Sequence, residues 1–471
     1  MRSPPPEDGP GDGELTETGV LADLAGLSVF SDLRDQPLFK ALEELLAAAG
    51  RPDAAGSYGK AAASIPALIR AWSGFVRALC GFGGLSFHDA AASLVTASEN
   101  PFTLAAEKGL FPEHLKTPAE NDLSRLNRVA SLDVAALGRL VSSGAKKAGL
   151  TDRQSREFEQ EALALSQGGQ KAANTGEVFS GDDWAAALPA FAAYIRSRGA
   201  GSLGLYRSFR WVSNDGSGTM QPVANPDPIR LSDLSGYEDQ RSVVVSNTLR
   251  FIEGKPASNL LLYGDRGTGK SATVKAVCAE YADQGLRILE LRKEALPSFP
   301  AVLECLASRG LRFVVFIDDL SFETLDDSFM SLKALLEGGA GTRPANTVIY
   351  ATSNRRHLVK ENRSDRVPGG DVRDFDTMQE QLSLADRFGL TVIYAAPNQE
   401  EYLAIAEFIA RKRGLLKTAA EDPSPEAEEQ RRLFRENCLR WERWFNGRSP
   451  RTAAQYADWL EGGGKFPWEG T

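Results

Sequence analysis

The feature that most constrains the fold of this chain is a glycine-rich segment at residues 264–271, with the sequence GDRGTGKS. An apolar run at residues 259–263 precedes it, and apolar residues at helical spacing follow over residues 270–282. A GxxxxGK[ST] segment between a strand and a helix lets backbone N–H groups surround phosphate oxygens at the start of the helix. The sequence therefore predicts a phosphate-binding loop within an α/β fold.

Further apolar runs without polar alternation indicate strands that are buried on both faces, as in a parallel sheet covered by helices. These runs are residues 287–291, 312–317, 347–351 and 390–394. Together with residues 259–263, they predict a five-stranded parallel sheet. After the last of them, helical spacing continues without strands, which predicts a C-terminal helical lid. The helices of this lid are predicted at residues 399–413, 426–445 and 450–460.

The composition of the chain changes along its length and divides it into six segments. The start is acidic and rich in proline and glycine, which is typical of disorder. An alanine- and leucine-rich region with helical spacing follows, and then two strand-like runs flank a turn of Gly and Asx residues. We predict a disordered tail (1–31), an α-helical N-terminal domain (32–204), a hairpin and linker (205–230), the α/β core (231–397), the lid (398–461) and a flexible tail (462–471).

Charge and residue counts exclude several classes of protein. The 471 residues carry a formal net charge of −9, which excludes a globally basic nucleic-acid coat protein. Arginines in the lid keep a nucleic-acid partner open, but the net charge does not support one. No run of apolar residues is long enough for a membrane span. Four scattered cysteines fit a reducing compartment and predict a cytoplasmic protein.

Polar residues at the ends of the predicted strands complete a candidate phosphate site. Lys270 would reach the β- and γ-phosphates, and the Ser271 hydroxyl would ligate magnesium. Asp318 follows the strand at residues 312–317 and would hold the same metal, while Asp319 would act on the attacking water. Glu323 is a second candidate for that task. Asn354, at the end of the strand at residues 347–351, would contact the γ-phosphate or the water.

Several arginines are candidates for stabilising transition-state charge. Arg387 lies between a predicted helix and the last strand, which predicts that it acts in a neighbouring subunit. Arg355 and Arg356, just after Asn354, compete for this role. Arg451 opens the last helix of the lid after Pro450 and would fold back over the nucleotide.

These segments in this order resemble the AAA+ ATPases. The segments NTLRFIEGKPASNLLLYGDRGTGKSATVKA, FIDDLSFE, YATSNRRHLVKE and LSLADRFGLT are similar to the branch catalogued as domain of unknown function 815, over about residues 209–460. The resemblance implies ATP and Mg²⁺ as cofactors, a homo-oligomer, and the roles given above for Lys270, Ser271, Asp318, Asp319, Asn354, Arg387 and Arg451. It also places Gly236 and Tyr237 against adenine. The predicted nucleotide-binding residues are Gly236, Tyr237, Gly264, Asp265, Arg266, Gly267, Thr268, Gly269, Lys270, Ser271 and Ala272.

Two functions follow from this reading. The first is an ATPase that assembles through arginine fingers and remodels or loads a protein partner. The second is a nucleotide-gated binding module with little turnover, because Asp319 is one methylene shorter than the glutamate that is commoner at its position. A GTPase is disfavoured because no guanine-reading segment of the NKxD type occurs. A threading unfoldase is disfavoured because residues 291–299 lack an aromatic-apolar-glycine pore loop.

Overall fold

The computed structural model describes residues 17–49, 65–147, 149–167, 178–214, 217–320, 343–354, 387–445, 447–464 and 466. The chain forms two compact units that divide between Leu205 and Tyr206. Among the helices in the described ranges, none is long and apolar enough to cross a membrane.

The first unit is helical in its described part. On α3, the buried residues Leu68, Trp72, Phe75 and Leu79 recur at intervals of three or four, so one face of the helix packs into the core. The helices are Glu17–Ala25 (α1), Pro37–Ala49 (α2), Ile65–Cys80 (α3), Phe87–Thr96 (α4), Pro101–Glu107 (α5), Glu113–Ala130 (α6), Val134–Lys147 (α7), Asp152–Ser166 (α8), Leu188–Arg198 (α9) and Ser202–Leu205 (α10).

The predicted disordered tail at residues 1–31 is wrong over its last part. Residues Glu17–Ala25 form α1, and Leu24 and Phe30 are fully buried. The buried carboxylate of Asp122 accepts hydrogen bonds from the N–H groups of Val29 and Phe30, at 2.7 and 3.2 Å. These partners lie over 90 residues away in the sequence, so a local composition of Gly and acidic residues does not reveal them.

The second unit holds a sheet with flanking helices, followed by three lid helices. The strands predicted from apolar runs are confirmed within one or two residues. The elements are Ser208–Asn214 (β1), Ser217–Pro222 (β2), Glu238–Ile252 (α11), Leu260–Gly264 (β3), Lys270–Glu280 (α12), Leu286–Glu290 (β4), Phe299–Ala307 (α13), Arg312–Ile317 (β5), Thr347–Ser353 (β6), Leu390–Tyr394 (β7), Gln399–Lys412 (α14), Pro425–Trp444 (α15) and Pro450–Glu461 (α16).

The sheet has seven strands in the order β2-β1-β4-β5-β6-β3-β7, within the described residues. The prediction of five strands is therefore too low by two. The predicted hairpin exists, but β1 also pairs in parallel with β4 and extends the sheet. Trp211 anchors the hairpin, because its buried indole donates to Ser298 Oγ at 2.9 Å. The remaining five strands are parallel and run in the order β4-β5-β6-β3-β7.

The lid helices enclose their own small core around Tyr402, Cys438 and Tyr456. Phe466 is buried against this core, with its ring centroid 5.9 Å from that of Tyr456. The predicted flexible tail at residues 462–471 is therefore wrong at this position. The aromatic side chain reaches back to fill the lid core, which a glycine-rich sequence does not suggest.

Candidate functional site

The loop between β3 and α12 has backbone angles that only glycine adopts readily. Gly264, Gly267 and Gly269 have φ of 141°, 77° and 90°. A Cβ at Gly264 would lie 2.1 Å from the carbonyl oxygen of Tyr394, so this position has no room for a side chain. The loop thus packs against the end of β7 and leads directly into the N-terminus of α12, where helix N–H groups favour an anion.

Lys270 is buried within this loop. Its Nζ donates to the carbonyl oxygens of Gly264 and Asp265, at 3.0 and 2.7 Å. Burial lowers the pKa of Lys270 to about 8, although the nearby carboxylates oppose this shift. A buried ammonium held only by backbone carbonyls is poorly compensated, and a phosphate would stabilise it more strongly.

The hydroxyl and carboxylate predicted to hold magnesium are in direct contact. Ser271 Oγ donates to Asp318 Oδ1 at 2.6 Å, across the carboxyl edge of the sheet. Thr352 Oγ1, at the tip of β6, donates to the same oxygen at 2.6 Å. Hydroxyl and carboxylate oxygens are hard ligands of the kind that Mg²⁺ prefers, so the donors present here fit this cation.

Asp319 adopts a left-handed backbone conformation with φ of 53°. Its N–H donates to Thr352 Oγ1 at 2.9 Å, and its Oδ1 accepts from Asn354 Nδ2 at 2.7 Å. The prediction that Asp319 and Asn354 belong to one site therefore agrees with their direct contact. The left-handed turn breaks the alternation of β5, so the two consecutive acids make different contacts.

Gly236 and Tyr237 lie between the sheet and the first lid helix. The Tyr237 hydroxyl donates to the carbonyl of Ala395 at 2.7 Å, and its ring stacks on Tyr394 with 5.1 Å between centroids. Burial, followed by nearby acidic groups, raises the pKa of Tyr237 and keeps the phenol protonated. A Cβ at Gly236 would lie 2.9 Å from Ile405 Cδ1 of α14, so the backbone here touches the lid.

The last lid helix begins against the phosphate loop. Arg451, the second residue of α16, donates its N–H to the carbonyl of Gly267 at 3.2 Å. Its positive charge is close enough to oppose protonation of Lys270. The arginine side chain is exposed. The structure therefore brings the backbone of Arg451 against the phosphate loop, and the folding of its side chain over the nucleotide stays a prediction.

Arg387 lies at the opposite edge of the sheet. The parallel register pairs Leu390 with Leu260 and Tyr394 with Gly264, so Arg387 precedes the amino end of β7. The phosphate loop follows the carboxyl end of β3. These two edges are about 13 Å apart along β7, given four steps of about 3.3 Å per residue. This position does not place Arg387 in the phosphate site of its own chain.

The other predicted residues have simpler surroundings. Thr268 Oγ1 donates to the carbonyl of Asp265 at 2.8 Å, and Asp265 Oδ2 accepts from the N–H of Ala396 at 2.8 Å. Arg266 is exposed, and Ala272 is half-buried in the first turn of α12. Glu323, Arg355 and Arg356 lie outside the described residues.

Thr352, Tyr394 and Ser449 lie at the site but are not among the residues predicted from the sequence. Thr352 contacts both acids, Tyr394 lies under Tyr237, and Ser449 Oγ would be 2.9 Å from a Cβ at Gly267. One signal could have pointed to Thr352. It lies two positions before Asn354, and strand periodicity places such residues on one face.

A phosphate loop after β3, two acids after β5, a polar tip on β6 and a helical lid after β7 define this unit as an AAA+ P-loop fold. The chain belongs to the family described as "Protein of unknown function (DUF815)", which matches residues 205–464. No curated protein matches the chain.

Solved structures similar to part of this chain include the RuvB Holliday junction branch migration motor of Thermotoga maritima. It is 15% identical over 50% of this chain and 65% of its own, with a TM-score of 0.31. Its P216G mutant is also 15% identical over 50% of this chain, covers 66% of its own and has a TM-score of 0.33. This chain thus spans about two thirds of the length of these proteins. Nothing that RuvB does is inferred for this chain from that likeness.

Proposed function

We propose that this chain binds ATP with Mg²⁺ and hydrolyses it within a homo-oligomer, in order to remodel or load a protein partner in the cytoplasm. The observation that supports this function best is the continuous hydrogen-bonded path through Ser271, Asp318, Thr352, Asp319 and Asn354. This path connects, at one edge of the sheet, residues to which we assign phosphate binding, metal coordination and water activation.

In binding, the glycine loop and the N-terminus of α12 surround the phosphates with N–H donors. Lys270 exchanges its two backbone carbonyl contacts for the β- and γ-phosphates. Gly236 and Tyr237 hold the adenine side between β7 and α14. Arg451 adds a positive charge from the lid. A bound Mg²⁺ would be held by Ser271 and Asp318, and would supply neutralisation of phosphate charge.

In hydrolysis, Asp319 accepts a proton from the attacking water, and Asn354 orients that water or the γ-phosphate. In the described arrangement, Asn354 donates to the Asp319 carboxylate. This hydrogen bond has to open, or Asp319 has to accept from Asn354 and from water together, before Asp319 can act on the water. Arg387 stabilises the transition state of a neighbouring subunit, since its own phosphate site lies at the other edge of the sheet.

A second function is a nucleotide-gated binding module with little turnover. The contact between Asn354 and Asp319 favours it, because this hydrogen bond competes with water for the carboxylate. In this case ATP would order the lid against the phosphate loop without being consumed. The two functions share the binding site and differ only in the rate of hydrolysis.

The test is phosphate release per mole of protein, measured over a hundredfold range of protein concentration. An arginine acting in trans makes this specific activity rise with concentration, because only assembled sites are complete. A constant, non-zero specific activity would reject assembly through Arg387. ATP binding with no hydrolysis at any concentration would reject the ATPase and support the binding module.

A pair of variants separates the roles of the two acids. Asp318→Asn should weaken the Mg²⁺-dependent part of ATP binding, because it removes a charged metal ligand. Asp319→Asn should keep ATP affinity and lose hydrolysis, since the amide still accepts from Asn354 but is not a base. Calorimetry and phosphate release measure the two effects. Normal hydrolysis in both variants would contradict the assignment of the site.

A further inference from the structure

We propose that Thr352 is a positioning residue that holds both acids of the site in one arrangement through its single hydroxyl. This inference rests on the proposed function. It concerns a residue that touches neither the phosphates nor the water, and that acts through Asp318 and Asp319.

The Thr352 hydroxyl makes two contacts of opposite kind. It donates its hydrogen to Asp318 Oδ1 at 2.6 Å and accepts the N–H of Asp319 at 2.9 Å. The residue is only 2% exposed, so its hydroxyl is shielded from water although both acids are exposed. A hydroxyl has one donor and two acceptor sites, and here its donor is fully committed to the carboxylate. The neighbouring backbone is fixed too, because the Thr352 carbonyl accepts from the N–H of Leu320 at 2.7 Å.

For Asp318, Thr352 provides the contact that can outlast metal binding. Ser271 and Thr352 both donate to Oδ1, while no hydrogen bond from the described residues reaches Oδ2. If the Ser271 hydroxyl oxygen binds a cation, the hydrogen bond from Ser271 to Asp318 Oδ1 changes in length or direction. The Thr352 hydroxyl comes from the tip of β6 rather than from the phosphate loop, so it can keep the carboxylate in place. Asp318 then presents a fixed set of oxygens.

For Asp319, Thr352 supports a strained backbone. A left-handed conformation is unfavourable for residues other than glycine, although aspartate tolerates it better than most. The hydrogen bond from the Asp319 N–H to Thr352 holds this turn at its amide, and Asn354 holds the side chain. Without the hydroxyl, the Asp319 amide would be left without this buried partner, and the turn that separates the two acids would lose its support.

The next residue of the strand provides a matched control. Ser353 is also buried, and its hydroxyl donates to the carbonyl of Leu320 at 2.8 Å. The Ser353 hydroxyl therefore bonds to the backbone of the segment that follows β5, but the structure shows no hydrogen bond from it to either acid. A purely structural effect of losing a strand-tip hydroxyl would appear in Ser353→Ala as well as in Thr352→Val.

The experiment compares Thr352→Val, Thr352→Ser and Ser353→Ala with the wild-type chain. Thr352→Val should lower kcat about tenfold to a hundredfold, the range for loss of hydrogen bonds to charged groups. ATP affinity in EDTA should stay within about twofold, and the gain in affinity on adding Mg²⁺ should shrink. Hydrogen exchange at the Asp319 amide should become faster. Thr352→Ser should restore all three properties, and Ser353→Ala should match the wild type. If Thr352→Val does not fold, Thr352→Ala replaces it.

The outcomes distinguish this inference from the proposed function. If the wild type hydrolyses ATP and Thr352→Val does so equally well, Thr352 is an ordinary strand residue and the inference is overturned. Equal losses in Thr352→Val and Ser353→Ala would overturn it as well. If the wild type binds ATP without hydrolysis, the proposed ATPase fails. The exchange rate at Asp319 and the Mg²⁺-dependent affinity then decide on Thr352 alone, and unchanged values in Thr352→Val would overturn its role.

Discussion

Raising the pH above 8 should weaken ATP binding through the titration of Lys270. Burial lowers the pKa of this lysine to about 8 in the free protein, from an ordinary value of 10.5. A bound phosphate places negative charge beside the ammonium and raises its pKa again. Binding is therefore strongest below pH 8, where the lysine is already charged. It weakens as the pH rises, because a proton must then be taken up with the nucleotide.

The size of the effect follows from the fraction of charged lysine. With a pKa of about 8, this fraction is about 0.9 at pH 7, one half at pH 8 and about 0.1 at pH 9. If only the charged form binds phosphate well, the affinity should fall about tenfold between pH 7 and pH 9. At pH 8, binding should take up about half a proton per nucleotide.

Titration calorimetry in EDTA measures both quantities, with two buffers of different ionisation enthalpy to count protons. Phosphate groups with a last pKa of about 6 are fully charged above pH 8, so the nucleotide itself adds little there. Lys270→Arg is the matched control, because a guanidinium stays charged throughout this range. Its residual affinity should be nearly independent of pH between 8 and 9.

Two results would refute this reasoning. One is a wild-type affinity that stays flat to pH 9 without proton uptake, which would mean that Lys270 keeps its proton in the free protein. The other is an equal pH dependence of affinity in Lys270→Arg, which would assign the titration to another group.

The stability of the free protein should depend on pH in the opposite sense to ATP affinity. Its stability should rise from pH 8 to about 10.5, because the unfolded chain holds the lysine proton over that interval and the folded chain does not.

Two further predictions concern the assembly and the loop. Lys270→Ala and Arg387→Ala should each be inactive alone, and mixing them should restore partial hydrolysis. An arginine finger contributes about 10³–10⁵ in rate, and the intact Arg387 of a Lys270→Ala subunit can complete the phosphate site of an Arg387→Ala neighbour. A mixture that co-assembles and stays inactive would exclude Arg387 from the neighbouring site. Gly267→Ala should lower Tm by several degrees and weaken ATP binding, because its φ of 77° costs about 1–2 kcal/mol and its Cβ would meet Ser449 Oγ at 2.9 Å. Gly414→Ala is the control, because Gly414 has a φ of 73° and open space around it, so this variant should lower Tm without changing ATP affinity. Equal ATP affinities in the two alanine variants would contradict the contact between Ser449 and Gly267.

The candidate phosphate site could be predicted from the sequence because each of its parts lies in a short segment at the end of a predicted strand. The loop, Lys270 and Ser271 lie within one short segment, and Asp318 and Asp319 directly follow a buried apolar strand. Parallel strands carry such ends to one edge of the sheet, so the contacts of Ser271 with Asp318 and of Asn354 with Asp319 follow from topology. The roles of these residues in turnover stay predictions.

Other features depend on contacts between distant segments, which a single sequence does not show. The hairpin was predicted, but the pairing of β1 with β4 was not, because the partner residues lie about 80 positions further along the chain. On α15, Trp441 is buried in the lid core, whereas Trp444 is 63% exposed. Helical spacing alone does not decide which of two neighbouring tryptophans points inward.

The contacts of the lid explain how a small ligand could change a large surface. The first and last lid helices reach the site separately, through Ile405 at Gly236 and through Arg451 at Gly267. Both contact points are glycines with positive φ, and an added Cβ would lie 2.9 Å from Ile405 Cδ1 at Gly236 and 2.9 Å from Ser449 Oγ at Gly267, so the lid packs closely against the backbone at both points. Phosphates in the loop and a base beside Tyr237 would therefore act on two ends of one packed helical unit. We expect such binding to move the lid as one unit rather than to order one helix alone.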